Sequence, residues 1–300
     1  MAIVGAIFAS GPLAENKNIV VPHGAGVREV AAILDANGAI YDPFLFRLSV
    51  KFLVDNGLKA GEYQITAGQS MAEIARMIHE GHSIMRLFTV AEGLTSDEII
   101  RLLNASPTFG GDAVGAVPVE GSLLPESYRY IYGDSRAAVI ARMQKAMTET
   151  LAELWAKRDP AVPLTSPEEA VVLASIVEKE TGKAAERPRI AGVFYNRLRI
   201  HMRLQSDPTV IYAIVKAKGG LDHDIDHNDL SFPSPINTYV SDGLPPQPIC
   251  NPGRAALEAV LHPETNDYLY FVADGTGGHV FARNLDEHNH NVAEWLQKKR

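Results

Sequence analysis

The sequence predicts an α+β protein in which a small α/β module precedes a larger domain of mixed helices and strands. Two observations support this class. Segments with apolar residues at helical spacing recur along the chain, and most of them begin with a capping residue. Short alternating strand segments lie between the first of these helices, at residues 19–22, 62–66 and 84–90. Helices and short strands mixed in this way are typical of α+β folds.

Three early segments share one pattern, which is a glycine, a capping residue, a glutamate and then apolar residues at helical spacing. They are residues 24–34, 68–78 and 93–103. Ser70 and Glu73 form a capping box in the second of them. Because the intervals between the copies are unequal, they predict separate helices and not a solenoid. A further helix is predicted over residues 43–55.

The rest of the chain is predicted to be mostly helical, with a strand hairpin near its end. The predicted helices cover residues 135–157, 166–181, 186–199, 208–216 and the stretch from 285 onwards. Strands are predicted over 268–273 and 279–282, joined by the glycine-rich turn 274–278. Residues 218–253 form a long loop rich in glycine, proline and aspartate, and such loops in compact domains are usually functional.

Composition and charge exclude some classes of protein. The content of 46% hydrophobic and 21% charged residues is ordinary for a globular protein, and 300 residues allow one large or two modest domains. A formal net charge of −8 argues against a nucleic-acid partner, because phosphate binding needs a concentrated basic surface. The single cysteine, Cys250, excludes an internal disulfide.

The first residues form an apolar stretch. Residues 2–14 carry no charge and are mostly apolar, but the stretch is too short to span a bilayer and lacks the basic flank of a secretion signal. Two interpretations remain open at this point. The stretch is the outer end of a membrane anchor, or it is a disordered or buried tail.

The central helix of the sequence is residues 166–181, SPEEAVVLASIVEKET. Ser166 and Glu169 match a capping box, Pro167 takes the first helical position, and Gly182 is a stop signal. No charge interrupts the run from Ala170 to Val177. A helix that is apolar nearly all round is expected to be buried.

This helix ends with two acids on different faces. At roughly 100° per residue, Glu178 and Glu180 point in nearly opposite directions, and Glu180 falls beside the bulkiest apolar side chains. Burial and the negative end of the helix dipole both favour the protonated acid, so we expect a raised pKa for Glu180. Glu180 is therefore a candidate general acid. The alternative is that Glu180 frays into solvent at the helix end.

Polar side chains that could serve Glu180 cluster in two other places. They are Asn196, Arg197, Gln205, Ser206 and Asp207 around one turn, and Asn237, Thr238 and Tyr239 in the long loop. Amide and hydroxyl groups both donate and accept hydrogen bonds, which suits sugar hydroxyls and N-acetyl groups. Each residue alone also has a structural interpretation as a turn or cap residue. Asp207, before Pro208, is predicted to be an N-cap.

Other chemistries have weaker support. His223 and His227 have the spacing of helical zinc ligands, but their segment has no apolar helical face and no HExxH motif accompanies it. No nucleophile elbow of the form GxSxG is present. The glycines at 274–278 open no helix, so they predict no phosphate site. We therefore predict no metal and no cofactor.

Several longer segments closely resemble the YceG-like endolytic murein transglycosylases. They are residues 58–74, 120–128, 173–214, 237–253 and 268–289. The matches occur in the order of the family and run through most of residues 19–290. Three positions depart from the pattern, namely His201, Arg203 and Gln247, and none of them is the candidate acid.

The resemblance implies a domain organisation and a location. Residues 1–18 would be an N-terminal tail left from a membrane anchor that is itself missing from this chain. Residues 19–86 would be a LysM-like domain, and residues 87–300 a catalytic transglycosylase domain. The protein would be a single-pass protein of the bacterial inner membrane with its catalytic domain in the periplasm.

The resemblance also implies an activity and its residues. The expected reaction is cleavage of the β-1,4 bond between N-acetylmuramic acid (MurNAc) and N-acetylglucosamine (GlcNAc) inside nascent glycan strands, leaving 1,6-anhydroMurNAc ends. Glu180 matches the catalytic glutamate of the family. By the same match, Tyr239 is the best candidate for a second active-site group. Asn237, Gln205, Asn196 and Ser206 complete the expected substrate-binding set.

Partners and an alternative function follow from the same resemblance. Peptidoglycan glycan strands and cell-wall synthases are the implied partners, with no nucleic acid. The alternative function is a non-catalytic peptidoglycan-binding scaffold of the cell-wall synthesis machinery.

Overall fold

A computed structural model of the chain describes residues 2–54 and 57–298. The described residues form two compact units. The first consists of residues up to 88 together with 103–114 and 127–139, and the second of residues 89–102, 115–126 and those from 140 onwards. Short segments in the middle of the chain thus alternate between the two units.

The predicted α+β class is confirmed, since helices and small antiparallel sheets make up both units. The helices are α1 (Ala2–Phe8), α2 (Val27–Ala36), α3 (Pro43–Leu53), α4 (Met71–Glu80), α5 (Ser96–Ala105), α6 (Arg136–Ala156), α7 (Pro167–Glu180), α8 (Arg187–Arg199), α9 (Asp207–Lys218), α10 (Arg254–Leu261) and α11 (Leu285–Lys298). The strands are β1 (Lys17–Val21), β2 (Gly61–Ile65), β3 (Met85–Thr89), β4 (Ser127–Ile131), β5 (Tyr270–Ala273) and β6 (His279–Ala282).

In the first unit, helices pack beside a two-stranded sheet. Strands β1 and β2 pair antiparallel with Ile19 opposite Tyr63. The largest side chains of its core, among them Tyr63, Phe46 and Leu34, are fully buried. The predicted capping box of α4 is present, because Ser70 Oγ accepts from the Glu73 N–H and the Glu73 carboxylate accepts from the Ser70 N–H. The predicted end of α3 at residues 55 and 56 lies outside the described residues.

The apolar N-terminal stretch begins with helix α1, which contacts α3 and α4. Ile7 on this helix is buried. Among the described residues, no helix has both the length and the apolarity to cross a membrane.

In the second unit, α7 is the central element, as the sequence predicts. It contacts α8, α9 and α10, and every residue from Ala170 to Val177 is buried. A helix with eight consecutive buried residues cannot have a polar face in its middle, so its charged side chains are confined to its ends, and the buried Ser175 hydroxyl bonds to the Val172 carbonyl. Beyond it, β5 and β6 form the predicted antiparallel hairpin.

Candidate active site

The two ends of α7 are built differently from the sequence prediction. Ser166 is the N-cap and accepts from the Glu169 N–H, but the Glu169 carboxylate accepts from the N–H of Thr165 and not of Ser166. The predicted capping box is therefore only half formed. At the other end, Thr181 leaves the helix in an extended conformation, so the helix ends at Glu180, two residues before Gly182.

Glu178 is held by a structural ion pair. The Glu178 carboxylate accepts from the Arg187 guanidinium at 2.7 Å and from the Gly253 N–H at 2.9 Å. Its side chain is only 4% exposed, so both acids at the end of α7 lie against the protein interior. Burial raises the pKa of Glu178, and the contacts with Gly253 and Arg187 oppose that rise.

Among the described residues, neither a guanidinium nor a backbone N–H donates to the Glu180 carboxyl group. Its Oε1 accepts from the Ser206 hydroxyl at 2.5 Å, and the side chain lies partly buried at the end of α7. Burial raises the pKa of Glu180 to about 7, and the negative charge of Asp207 adds to the rise. The Ser206 hydrogen bond and the positive charge of Arg197 act in the opposite direction. A carboxylic acid that keeps its proton near neutral pH can serve as a general acid.

Ser206, the partner of Glu180, is fixed by two buried threonines. The Ser206 N–H donates to Thr238 Oγ1 at 2.9 Å, and the Thr209 hydroxyl donates to the Ser206 carbonyl at 2.6 Å. The two threonine hydroxyls also bond to each other at 2.9 Å. This network joins the loop at 237–239 to the start of α9, so the predicted clusters at 205–207 and 237–239 do come together around Glu180.

Asp207 is not the N-cap that the sequence predicts. Ser206 is the N-cap of α9, and Asp207 is the first helical residue. The Asp207 side chain instead accepts from the Tyr239 hydroxyl at 2.6 Å. Burial and the neighbouring Asp207 raise the pKa of the Tyr239 hydroxyl above its usual value, so Tyr239 remains a donor at neutral pH. The N-cap is therefore one residue earlier than predicted, at Ser206, whose backbone is held by hydrogen bonds to Thr238 and Thr209.

Of the three remaining predicted binding residues, only Gln205 is available to a ligand. Its side chain is exposed, and its backbone has a φ of 48°, a region that favours glycine. Asn237 is fully buried and donates to the Leu230 and Phe232 carbonyls, so it shapes the loop. Asn196 is buried too, and its amide nitrogen donates to two backbone carbonyls in residues 266–268.

Arg197 is the charged group near Glu180 that is absent from the expected substrate-binding set. Its guanidinium is buried and donates to the Leu269 and Leu204 carbonyls, both at 2.6 Å. It also lies over the Tyr270 ring, 5.3 Å from the ring centre. Burial lowers the pKa of Arg197. The signal in the sequence is weak, because an arginine near the end of a helix normally has a solvated side chain.

The histidine segment does not bring His223 and His227 together as a pair of metal ligands. His223 approaches Asp226 and Asp229, and His227 is not part of that cluster. His223 already bonds Asp222 at 2.9 Å and Asp229 at 3.0 Å. Exposed acidic groups of this kind are common without an ion.

A concave surface lies along the N-terminal half of α7. Its volume is about 660 Å³, and Val171, Val172, Glu120 and the loop segment 246–248 line it, whereas Glu180 does not. Gln247, one of the residues that departs from the family pattern, donates to Tyr212 Oη, which donates to the half-buried Glu120 carboxylate.

The fold is α+β, and its candidate site brings one carboxyl group with a raised pKa together with polar residues of the 205–207 turn and the 237–239 loop. The chain belongs to the YceG-like family, whose model matches residues 19–294.

Similar proteins share most of this chain. It is 31% identical to an endolytic murein transglycosylase of Bacillus subtilis (strain 168), over 94% of this chain and 85% of that protein. It is 29% identical to an endolytic murein transglycosylase of Streptococcus pneumoniae R6, over 93% of this chain but only 58% of that protein. A crystal structure of a yceG-like protein from Listeria monocytogenes matches with a TM-score of 0.56 at 30% identity, over 92% of this chain and 98% of that one.

Proposed function

We propose that this protein is an endolytic lytic transglycosylase of peptidoglycan. It cleaves MurNAc-β-1,4-GlcNAc bonds inside nascent glycan strands and leaves 1,6-anhydroMurNAc ends. Membership of the YceG-like family and the printed names of the relatives support a peptidoglycan transglycosylase. The observation that carries the chemistry is the Glu180 carboxyl group, whose pKa of about 7 leaves it mostly protonated at mildly acidic pH and about half protonated at neutral pH.

In the proposed reaction, one carboxyl group acts twice. Glu180 donates its proton to the glycosidic oxygen while the bond to the MurNAc anomeric carbon breaks, and GlcNAc leaves with a free 4-hydroxyl group. The Glu180 carboxylate then takes the proton of the MurNAc C6 hydroxyl, whose oxygen bonds to the anomeric carbon. The acid is regenerated and no water is consumed. The step needs no metal and no cofactor.

The surrounding residues divide into two proposed roles. Gln205, Ser206 and Tyr239 lie where they would meet the sugar or orient the acid, because each is exposed or bonded within the Glu180 site. Asn237 and Asn196 act indirectly, because their side chains bond to the backbone of neighbouring segments.

The test is a comparison of Glu180→Gln with Glu178→Gln on uncrosslinked glycan strands, with products identified by mass spectrometry. Glu180→Gln is expected to give no anhydroMurNAc product and to fold normally. Glu178→Gln is expected to remain active where it is folded. It should also lose about 1–3 kcal/mol of stability, because Arg187 loses the closer of its two carboxylate partners among the described residues and keeps only Glu92.

Comparable activity in both variants would refute the assignment of Glu180. A wild-type protein that binds glycan strands but yields no anhydroMurNAc product would support the alternative function, a non-catalytic scaffold of the cell-wall synthesis machinery.

We also propose the location and organisation implied by the family. A LysM-like domain at residues 19–86 precedes the catalytic domain at 87–300, the protein is anchored in the inner membrane by a single N-terminal span, and the catalytic domain faces the periplasm beside cell-wall synthases. The two-stranded sheet with its helices in the first unit is consistent with a separate small module. Membrane fractionation of the full-length protein tests the anchor.

A further inference from the structure

Two carboxyl groups of the site are joined through adjacent residues of one turn. Ser206 donates its hydroxyl to Glu180, and the next residue, Asp207, accepts the hydroxyl of Tyr239. The turn is fixed, because Thr238 and Thr209 bond to the Ser206 backbone. The spacing between Glu180 and Asp207 is therefore set by the fold and not by flexible side chains alone.

The surroundings of the two carboxyl groups favour opposite charge states. Glu180 lies in the last turn of α7, where the helix dipole disfavours an anion, and its one hydrogen bond comes from a neutral hydroxyl. Asp207 is the first residue of the 12-residue helix α9, where the dipole favours an anion, and its side chain is exposed. Pairs of acids in contrasting environments often divide the roles of acid and anion.

We propose that Asp207 is the electrostatic partner of Glu180, an ionised carboxylate, fixed by Tyr239, that keeps the proton on Glu180 and offsets the positive charge of the oxocarbenium-like state. This inference rests on the proposed function. Asp207 forms no covalent bond and moves no proton, so the balance of the reaction is unchanged.

The other charged group that acts on Glu180 is Arg197. Its guanidinium favours the ionised form of Glu180, whereas the negative charge of Asp207 favours the protonated form. Tyr239 remains protonated and donates to Asp207. Removal of the charge at Asp207 would leave Arg197 unopposed, and Glu180 would then lose its proton at a lower pH. The sequence predicts Asp207 as the N-cap of α9, and for that reason it does not predict an electrostatic role for this side chain.

The test compares Asp207→Asn and Asp207→Glu with wild type. For Asp207→Asn we expect kcat to fall about 10- to 100-fold with KM changed less than about 3-fold. The fall of kcat/KM at high pH is expected to begin about one pH unit lower. Asp207→Glu keeps the charge and is expected to keep the wild-type pH profile. Asp286→Asn, the same change in the first turn of α11, is the matched control and should alter neither.

Several outcomes would overturn the proposal. A wild-type kcat and pH profile for Asp207→Asn would refute it. An equal loss of activity in Asp207→Asn and Asp207→Glu, with a lowered melting temperature and an unchanged pH profile, would show a merely structural role. An inactive wild-type protein would refute the proposed function and this inference together, whereas an active wild type confines the failure to Asp207.

Discussion

Glu178 and Glu180 show how two residues of one helix turn acquire different chemistry. Burial raises the pKa of each carboxyl group. Glu178 meets a guanidinium and a backbone N–H, which compensate a buried anion. Glu180 meets one hydroxyl group, and an anion with so little compensation is costly in a buried site. The protonated form of Glu180 is therefore favoured because its neighbours supply too few hydrogen-bond donors to stabilise the carboxylate anion.

The raised pKa of Glu180 predicts that this residue costs stability at alkaline pH. The pKa rises from 4.5 to about 7 on folding, so the folded state binds the proton more tightly between those values. The contribution of this bound proton to the free energy of unfolding is fully present below pH 4.5 and is lost as the pH rises through 7. Glu180→Gln should match wild type near pH 5 and be more stable than wild type at pH 8, by roughly 1–3 kcal/mol.

Urea denaturation of both proteins at pH 5 and pH 8 measures this difference. In the same pH range, kcat/KM of the wild type should fall about tenfold per unit above pH 7, because the general acid loses its proton. A wild-type protein that gains stability relative to Glu180→Gln between pH 5 and pH 8 would contradict the prediction.

At the scale of elements, the site depends on a short turn between α8 and α9 with unusual backbone geometry. His201 and Gln205 both have positive φ, 55° and 48°, and both side chains are exposed. Each non-glycine residue in this region costs on the order of 1 kcal/mol. Such strain is typical of functional sites. Here the strained turn leads directly into Ser206, which bonds to Glu180, and Asp207, which bonds to Tyr239.

Replacement of the two strained residues by glycine should separate strain from function. His201→Gly and Gln205→Gly are each expected to change stability by less than about 1 kcal/mol, with a net gain, because relief of strain exceeds the entropy cost of glycine. Only Gln205→Gly should raise KM for glycan strands, since Gln205 is the exposed side chain next to Ser206. Thermal unfolding and steady-state kinetics of the pair test this. An equal rise of KM in both variants would remove Gln205 from the binding set.

At the scale of the whole molecule, the acidic chain performs its proposed chemistry with side chains alone. The formal net charge of the chain is −8, and among the described residues the cluster with metal-ligand spacing does not include Glu180. The cluster of His223, Asp226 and Asp229 lies in the exposed loop after α9, and its groups already bond to one another.

Metal removal therefore tests the reaction class. After dialysis against a chelator, the release of anhydroMurNAc products should be unchanged, because the proton donor and the nucleophile are a carboxyl group and a substrate hydroxyl. The matched control is the double variant His223→Ala with Asp229→Ala, which should retain wild-type activity. A loss of activity on chelation that zinc restores would favour the rival hypothesis of a zinc hydrolase.

Local patterns in the sequence determined the class of the fold and the position of its central helix. Capping residues and helical spacing were enough to place α4, α7 and α9, and burial along α7 followed from its uninterrupted apolar run. Where local signals were weak, elements were missed. The helix α10 has only eight residues and no side-chain cap, and β4 is short, although its alternation of buried Tyr128 and Tyr130 was a usable signal.

Only the tertiary structure decided which polar groups share the site. The sequence predicted Glu180 as a buried acid from one helix, because helix geometry is local. It could not show that Ser206 rather than Asp207 caps α9, that Thr238 holds Ser206, or that Arg197 is buried, because each depends on contacts between segments far apart in the chain. The burial of Glu180 was determined by the sequence of its own helix. The groups that contact it were determined by how the turn before α9 and the 237–239 loop pack around that helix.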